Sequence, residues 1–204
     1  MKKAGKVIGI IVGIIVIVYG VLVISSYIGA RNEPDLAAMQ AEEKKLNEEI
    51  NAKMKKIDLS NFQAEDLNGN IVTPEIFSKN KITLIDIWTS DCSPCIEGMP
   101  DLAKLQKENL DGVGILTVCK DAANSEKAEK FAKKLMTDND NILTLIPDKA
   151  LMNGLCDHIM AYPTLLFVDS KGEVIGDRYL GVRSTEKLKE EIFKRLEMAE
   201  KNKK

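Results

Sequence analysis

The longest apolar run of this chain extends from Val7 to Ala30 and contains no charged residue over 24 positions. A helix of about 20 apolar residues spans the hydrocarbon core of a bilayer, and a buried helix in a soluble domain is rarely apolar on every face. The run therefore predicts a single-pass transmembrane helix. The alternative is a cleaved signal peptide, but its apolar region is typically only about 7–15 residues long. The sole candidate cleavage site, Ile28-Gly29-Ala30, places a bulky residue where a small one is preferred.

The charges that flank this run predict its orientation. Lys2, Lys3 and Lys6 precede it, and no acidic residue occurs before Glu33. Basic residues stay on the cytoplasmic side of a membrane. We therefore expect the N-terminus to be cytoplasmic and everything after Ala30 to be extracytoplasmic, which places the protein in the cell membrane.

Residues 31–56 form a segment rich in Glu, Lys and Ala. Its apolar residues recur at helical spacing and make a narrow stripe on a polar helix. They are Leu36, Met39, Leu46, Ile50 and Met54. We interpret the segment as a charged helical spacer, with a weak dimerising coiled coil as the alternative. We thus predict that residues 1–30 form a cytoplasmic tip and the transmembrane anchor, that residues 31–56 form the spacer, and that residues 57–204 form the globular domain.

Short apolar runs alternate with amphipathic segments after residue 57. Asn68-Gly69 between extended segments predicts a β-hairpin within 61–72, and 73–77 reads as a helical turn. The predicted strands are 81–88, 113–119, 141–147, 163–169 and 174–181, and the predicted helices are 93–110, 124–136, 149–160 and 185–201. This order predicts an α/β fold with a mixed central sheet flanked by helices, preceded by a β-hairpin and the N-terminal transmembrane helix.

Composition restricts the possible partners and chemistry. The 204 residues carry a net charge of −2, which argues against a nucleic-acid partner because phosphate binding needs a basic face. The four cysteines are Cys92, Cys95, Cys119 and Cys156. Disulfides persist outside the cytoplasm, so this even number is compatible with two bridges.

The segment WTSDCSPC, residues 88–95, carries the clearest chemical signal. Thiol–disulfide exchange needs an exposed thiolate and a second thiol that releases the mixed disulfide. At the N-terminus of a helix, unpaired N–H groups and the helix dipole lower the pKa of the first thiol. We expect Cys92 to be the nucleophile and Cys95, one turn further, to be the resolving residue. Pro94 stiffens the turn between them.

Two residues before this pair are further candidates. Asp86 lies within an apolar strand, where burial should raise the pKa of its carboxyl group. It is then suited to exchange a proton with Cys95, although an acid at the strand edge with a local partner is the alternative. We expect Trp88, like Pro94, among the substrate-binding residues at the border of the site, although Trp88 could also pack beneath the loop as an aromatic anchor.

Residues 82–108 resemble the thioredoxin superfamily, in particular its TlpA/ResA-like membrane-anchored branch with a Redoxin-like domain. The hairpin at 61–77, Pro100 within the first helix, and AYPTLLFVDSKGEVI at 161–175 strengthen the resemblance, which covers 59–200. It implies a thioredoxin-like fold for 57–204. It also implies that Pro163 is cis and that the Tyr162–Pro163 loop lies beside the cysteines and binds substrate backbone.

The resemblance further implies that the protein reduces disulfides and needs no cofactor beyond the redox-active Cys92–Cys95 pair. Electrons would come from a membrane donor of the CcdA/DsbD type. The clients would be exported disulfide-containing proteins, such as apocytochrome c during cytochrome c maturation or a methionine sulfoxide reductase. Three positions depart from the usual pattern, namely Asp91, Ser93 and Asp86. A carboxylate at Asp91 should raise the pKa of the neighbouring Cys92 thiol.

Cys119 and Cys156 lie outside this motif. Three interpretations remain open: buried inert thiols, a second redox pair, and a structural disulfide, which is our hypothesis. A zinc site formed by the four cysteines is disfavoured because no second closely spaced ligand pair is present. His158, the only histidine, is expected on the surface at a helix end.

Three functions are consistent with these features. The first is an extracytoplasmic membrane-anchored thiol–disulfide oxidoreductase. The second is a peroxiredoxin-like thiol peroxidase with Cys92 as the peroxidatic cysteine, because Thr89-Ser90-Asp91-Cys92 resembles the Thr-x-x-Cys of that family. The third is a tethered binding or chaperone module with structural cysteines.

Overall fold

The computed structural model describes residues 17–25 and 36–201. The chain divides into two compact units, Met1–Asn47 and Glu48–Lys204. Residues 17–25 are helical, but most of the predicted anchor and the lysines before it lie outside the described residues. Among the helices that are described, none combines the length and apolarity needed to cross a bilayer.

Helix α1 extends over Leu36–Met54. Its polar composition matches the predicted spacer, but its last turn differs from a fully solvated helix. Met54 is buried in the second unit, and Ile50 packs against the same core. The end of α1 is therefore part of the globular domain.

The domain is built on a mixed seven-stranded sheet with the order β2-β1-β5-β4-β3-β6-β7. Strands β3, β4 and β5 are parallel, whereas β1, β2, β6 and β7 run antiparallel to their neighbours. The strands are β1 Ala64–Asp66, β2 Ile71–Val72, β3 Ile82–Trp88, β4 Val113–Cys119, β5 Thr144–Ile146, β6 Thr164–Asp169 and β7 Tyr179–Leu180. The predicted hairpin is β1–β2, where Gly69 turns the chain with a φ of 82°.

Helices cover both faces of the sheet. They are α2 Glu75–Ser78, α3 Ser93–Glu108, α4 Glu126–Thr137, α5 Lys149–Gly154 and α6 Thr185–Lys201, with 3₁₀ turns at Lys120–Ala123 and Cys156–His158. One core cluster lies between the sheet and α3, α4 and α6. The other lies between the opposite face and α2, α5 and the end of α1. The predicted mixed α/β architecture is confirmed.

Strands β3 and β4 position the site. Every residue of β3 is buried, as its continuous apolar run predicts for a strand covered on both faces. The parallel register pairs Ile82 with Val113 and Trp88 with Cys119. Both strands therefore end at the same sheet edge, and the loops that follow them meet there.

Two predicted strands are shorter than their apolar runs. In 141–147 only Thr144–Ile146 is a strand. In 174–181 a single bridge at Val174 precedes β7. The chain turns out of the sheet at Gly176, whose φ is 70°. The Arg195 guanidinium lies against this glycine, and a Cβ added to Gly176 would lie only 2.5 Å from Arg195 Cζ.

Candidate active site

Cys92 and Cys95 are joined by a disulfide bond with an S–S distance of 2.04 Å. Cys92 is the N-cap of α3, and its sulfur accepts a hydrogen bond from the Cys95 N–H at 3.3 Å. Pro94 follows in the first turn and is exposed. Cys92 is partly exposed, whereas Cys95 is only 1% exposed. An incoming thiol or disulfide therefore reaches Cys92, which is the accessibility that the predicted roles require.

The first turn of α3 contains no acidic residue, so its N–H groups and dipole favour a thiolate at Cys92 when the bond is open. The neighbouring carboxylate of Asp91 is exposed and accepts a hydrogen bond from Thr89 Oγ1 at 2.7 Å. Thr89, whose spacing from Cys92 suggested a peroxidase, thus directs its hydroxyl to Asp91.

Asp86 lies in the middle of β3 and is 3% exposed. Its Oδ1 accepts no hydrogen bond from the residues that the structure describes. Burial raises the pKa of this carboxyl group from 3.8 to about 7. Asp86 and Cys95 line one small cavity of about 10 Å³, room for about one water molecule. The structure thus brings the two groups together as expected.

The Tyr162–Pro163 peptide bond is cis, as the family resemblance implied. Pro163 is buried and lines the same cavity as Cys95 and Asp86. Its carbonyl accepts a hydrogen bond from Gly181 N at 2.9 Å, which ties the loop to the end of β7. The loop therefore lies beside the buried cysteine, and the half-buried Tyr162 is at its outer edge.

Trp88 requires a correction. We expected it among the substrate-binding residues, but it is 0% exposed and cannot touch a docked protein. Its indole N–H donates to Thr117 Oγ1 at 3.1 Å, and that oxygen lies 2.8 Å from Thr144 Oγ1. Trp88 is the aromatic anchor of the core beneath the loop, because its position in the β3 pleat turns it towards α3.

The hypothesis of a Cys119–Cys156 disulfide is also wrong in this structure, since both are free buried thiols. Cys119 belongs to the core cluster under α3, and Cys156 to the cluster on the other face of the sheet. Successive side chains of a strand point to opposite faces, and the β4 pleat turns Cys119 towards the α3 side of the sheet. Burial raises the pKa of the Cys119 thiol and raises that of Cys156 to about 12.

No group of three or more His, Cys, Asp or Glu side chains suited to a metal ion occurs among residues 17–25 and 36–201. His158 is exposed at the end of a 3₁₀ turn, as expected.

Sequence reasoning did not identify a groove beside Cys92, which we call the lateral groove. It has a volume of about 600 Å³ and is lined by Asp91, Lys120, Asp121, Met152, Asp157 and Tyr162, among others. A signal was present, because Lys120 and Asp121 directly follow a strand parallel to β3 and so share its edge.

Lys120 connects several parts of this groove. Its Nζ donates to the Cys156 carbonyl at 3.0 Å and lies 3.5 Å from Asp157 Oδ1. Burial lowers the pKa of Lys120, but the Tyr162 hydroxyl and Asp157 outweigh burial and raise it. The ammonium group therefore fixes the wall of the groove next to the Pro163 loop.

The chain matches a known family model and resembles a protein of Bacillus subtilis. The family model described as Redoxin matches residues 51–194. The "Thioredoxin-like protein YneN" of Bacillus subtilis (strain 168) is 30% identical over 115 residues, which are 56% of this chain and 65% of that protein's length.

Solved structures agree at the level of the fold. StoA from Bacillus subtilis superposes with a TM-score of 0.51 and 26% identity, covering 63% of this chain and 93% of StoA. A thiol:disulfide interchange protein from Bacteroides sp. superposes with a TM-score of 0.53 and 24% sequence identity. The superposition covers 69% of this chain and 90% of the Bacteroides chain.

Proposed function

Because the chain belongs to the Redoxin family, we propose that it is an extracytoplasmic, membrane-anchored thiol–disulfide oxidoreductase that reduces disulfides in exported proteins. The predicted thioredoxin superfamily and the predicted oxidoreductase class are both supported by that match and by the relatives.

One observation carries the proposal. A partly exposed Cys92 at a helix N-terminus is bonded to a buried Cys95, which shares a cavity with the raised-pKa carboxyl group of Asp86. An accessible nucleophile, a shielded resolving thiol and an adjacent proton acceptor are what disulfide reduction requires.

The reaction begins with the reduced pair. The Cys92 thiolate attacks one sulfur of a client disulfide, the client S–S bond breaks, and the other client sulfur leaves as a thiolate that takes up a proton. Cys92 and the client are then joined by a mixed disulfide.

Resolution uses the interior of the site. Cys95 loses its proton to the Asp86 carboxylate across their shared cavity and attacks the Cys92 sulfur. The Cys92–Cys95 bond forms as the bond between Cys92 and the client breaks, and the leaving client sulfur takes up a proton. The client therefore leaves as a dithiol that has gained two electrons and two protons in total. A carboxyl group with a pKa of about 7 accepts and releases that proton near neutral pH.

The remaining features of the proposal rest on the sequence. The uncharged run before residue 31 is the proposed anchor, and a membrane thiol transporter of the CcdA/DsbD type is the proposed donor that reduces Cys92–Cys95 again. Exported proteins, including apocytochrome c, are the proposed clients.

Trapping experiments test the assignment of the two cysteines. Cys95→Ser should accumulate a mixed disulfide between Cys92 and an oxidised client such as insulin, visible as a band on non-reducing gels that disappears with dithiothreitol. Cys92→Ser should form no such band. Trapping by Cys92→Ser and not by Cys95→Ser would reverse the assigned roles.

The reduction potential tests the direction of electron flow. A value near that of thioredoxin, about −270 mV, supports a reductant, whereas a value near that of DsbA, about −120 mV, identifies an oxidant. Equilibration of the full chain with glutathione or dithiothreitol buffers gives this value.

A further inference from the structure

The lateral groove begins next to the reacting sulfur. Asp91 immediately precedes Cys92, and Tyr162 of the cis-proline loop lines the same groove. A client polypeptide joined to Cys92 by a mixed disulfide has its neighbouring residues within a few ångströms of this groove, since one residue spans about 3.3–3.6 Å.

The charges in the groove are unequal. Three carboxylates, Asp91, Asp121 and Asp157, face one ammonium group, Lys120. Lys120 lies 3.5 Å from Asp157, so these two charges offset each other.

The other two carboxylates accept hydrogen bonds only from neutral donors among the described contacts. Asp121 accepts from Ser90 and from the Cys119 thiol, and Asp91 accepts from the Thr89 hydroxyl. The groove therefore presents a net charge of −2 beside the disulfide.

Apolar surface accompanies this charge. Met152 and the Tyr162 ring line the same groove, and both are partly exposed. A long basic side chain places its methylene stem on apolar surface and its charged end beside a carboxylate. An acidic side chain would meet like charges, which raises the free energy of the encounter.

We propose that the lateral groove selects client disulfides whose reacting cysteine is flanked by a lysine or arginine, with Asp91 as the recognition carboxylate. This inference rests on the proposed reductase function and specifies the substrate class for the same site. Asp121 contributes charge from the groove wall, and Met152 and Tyr162 contribute the apolar surface.

Three synthetic peptides test the proposal. Each carries one cysteine as a mixed disulfide with 5-thio-2-nitrobenzoate, and they differ only in the two residues that flank the cysteine, which are both Lys, both Gln or both Glu. Attack by Cys92 of the reduced full chain in neutral detergent releases the coloured thiolate. At low ionic strength we expect the second-order rate constant to be about tenfold higher for the Lys peptide than for the Glu peptide, with Gln between them. The difference should nearly vanish at 1 M salt, where the Debye length is about 3 Å.

Variants locate the preference. Asp91→Asn should lower the Lys-to-Glu ratio, and Asp91→Lys should bring it to 1 or below. The ratio is the proper readout because any change in the Cys92 thiolate affects all three peptides equally. The matched control is Asp138→Asn, an exposed carboxylate at the far end of α4, which should keep the wild-type ratio.

Different outcomes would contradict recognition by the groove and the proposed reductase function. Rapid reaction with equal rates for the three peptides, or a ratio unchanged by Asp91→Asn, would overturn the recognition by the groove and leave the reductase intact. Failure of the reduced wild type to react with any peptide would overturn the proposed function itself.

Discussion

The carboxylate of Asp121 holds both the backbone and the side chain of Ser90. The Ser90 N–H lies 3.0 and 3.1 Å from the two carboxylate oxygens, and the Ser90 hydroxyl donates to Oδ2 at 2.5 Å. Ser90 precedes Cys92 by two residues, and Asp121 follows β4 by two residues. The active-site loop is thus attached by hydrogen bonds to the 3₁₀ turn that follows the neighbouring parallel strand.

Removal of this attachment should loosen the loop. Asp121→Ala leaves the Ser90 amide without its charged acceptor, and we expect the free energy of unfolding to fall by about 1–3 kcal/mol. Urea unfolding measures the loss, and hydrogen exchange should show faster exchange of the Ser90 amide. Ser90→Ala is the matched comparison, because it removes the hydroxyl bond alone and should cost less. An Asp121→Ala protein as stable as the wild type would contradict a stabilising role for the hydrogen bonds between Ser90 and Asp121.

The buried Asp86 should make stability depend on pH. Its pKa is raised on folding from 3.8 to about 7, so the folded state favours the protonated carboxyl group. The free energy of unfolding should therefore fall as pH rises through this interval and change no further from Asp86 above it. The penalty at pH 8 is of the order of 4 kcal/mol, from about 1.4 kcal/mol per pKa unit.

Asp86→Asn should abolish this dependence. Urea unfolding at a series of pH values should show the variant gaining stability over the wild type between pH 4 and pH 8. Parallel curves for the two proteins would mean that the carboxyl group titrates normally.

The Asp86→Asn variant should also release client from the Cys92 mixed disulfide more slowly, because Cys95 then lacks its proton acceptor. Single-turnover measurements of client release give this rate.

The two outer cysteines should remain unreactive in the folded protein. Cys119 and Cys156 are both buried, and burial raises the pKa of each thiol. We expect iodoacetamide to modify no thiol of the oxidised folded protein and two thiols after unfolding without reductant. Reduced folded protein should react at Cys92 alone. Recovery of a peptide that joins Cys119 to Cys156 would refute this assignment.

The hydrogen bond of Trp88 should contribute measurably to the core. Thr117→Val keeps the side-chain shape but leaves the indole N–H buried without its acceptor, and we expect a loss of about 1–3 kcal/mol. Urea unfolding followed by the emission of Trp88, the only tryptophan, gives the value. The Thr144→Val variant serves as a comparison, because it removes a partner of Thr117 and leaves the bond to the indole intact. Equal effects of both changes would argue against a specific role for the indole bond.

The sequence predicted the central elements well because their patterns are long. The bounds of β4 and α6 agree with the apolar run at 113–119 and the amphipathic segment at 185–201. The N-terminus of α3 agrees because the sequence near Cys92 contains both a capping position and Pro94. These signals are local, so they can be recognised without tertiary information.

The features that could not be predicted from the sequence are those that depend on contacts between residues distant along the chain. Trp88 could be either core or site until the β3 pleat determined its face. Cys119 and Cys156 are neighbours in the order of elements, yet they belong to core clusters on different faces of the sheet. The lateral groove brings together residues as distant as Asp91 and Asp157, and no local pattern signals that meeting.

The opposite faces assigned to Cys119 and Cys156 also determine the redox stoichiometry of the domain. Four cysteines permit three complete pairings, but Cys119 and Cys156 are free buried thiols, so Cys92–Cys95 is the one disulfide among the described cysteines. Opening this one disulfide therefore stores two electrons in the domain. Under the proposed reductase function, the pair must then be reduced again after every client, so the supply of electrons from the proposed donor would set an upper limit on sustained turnover.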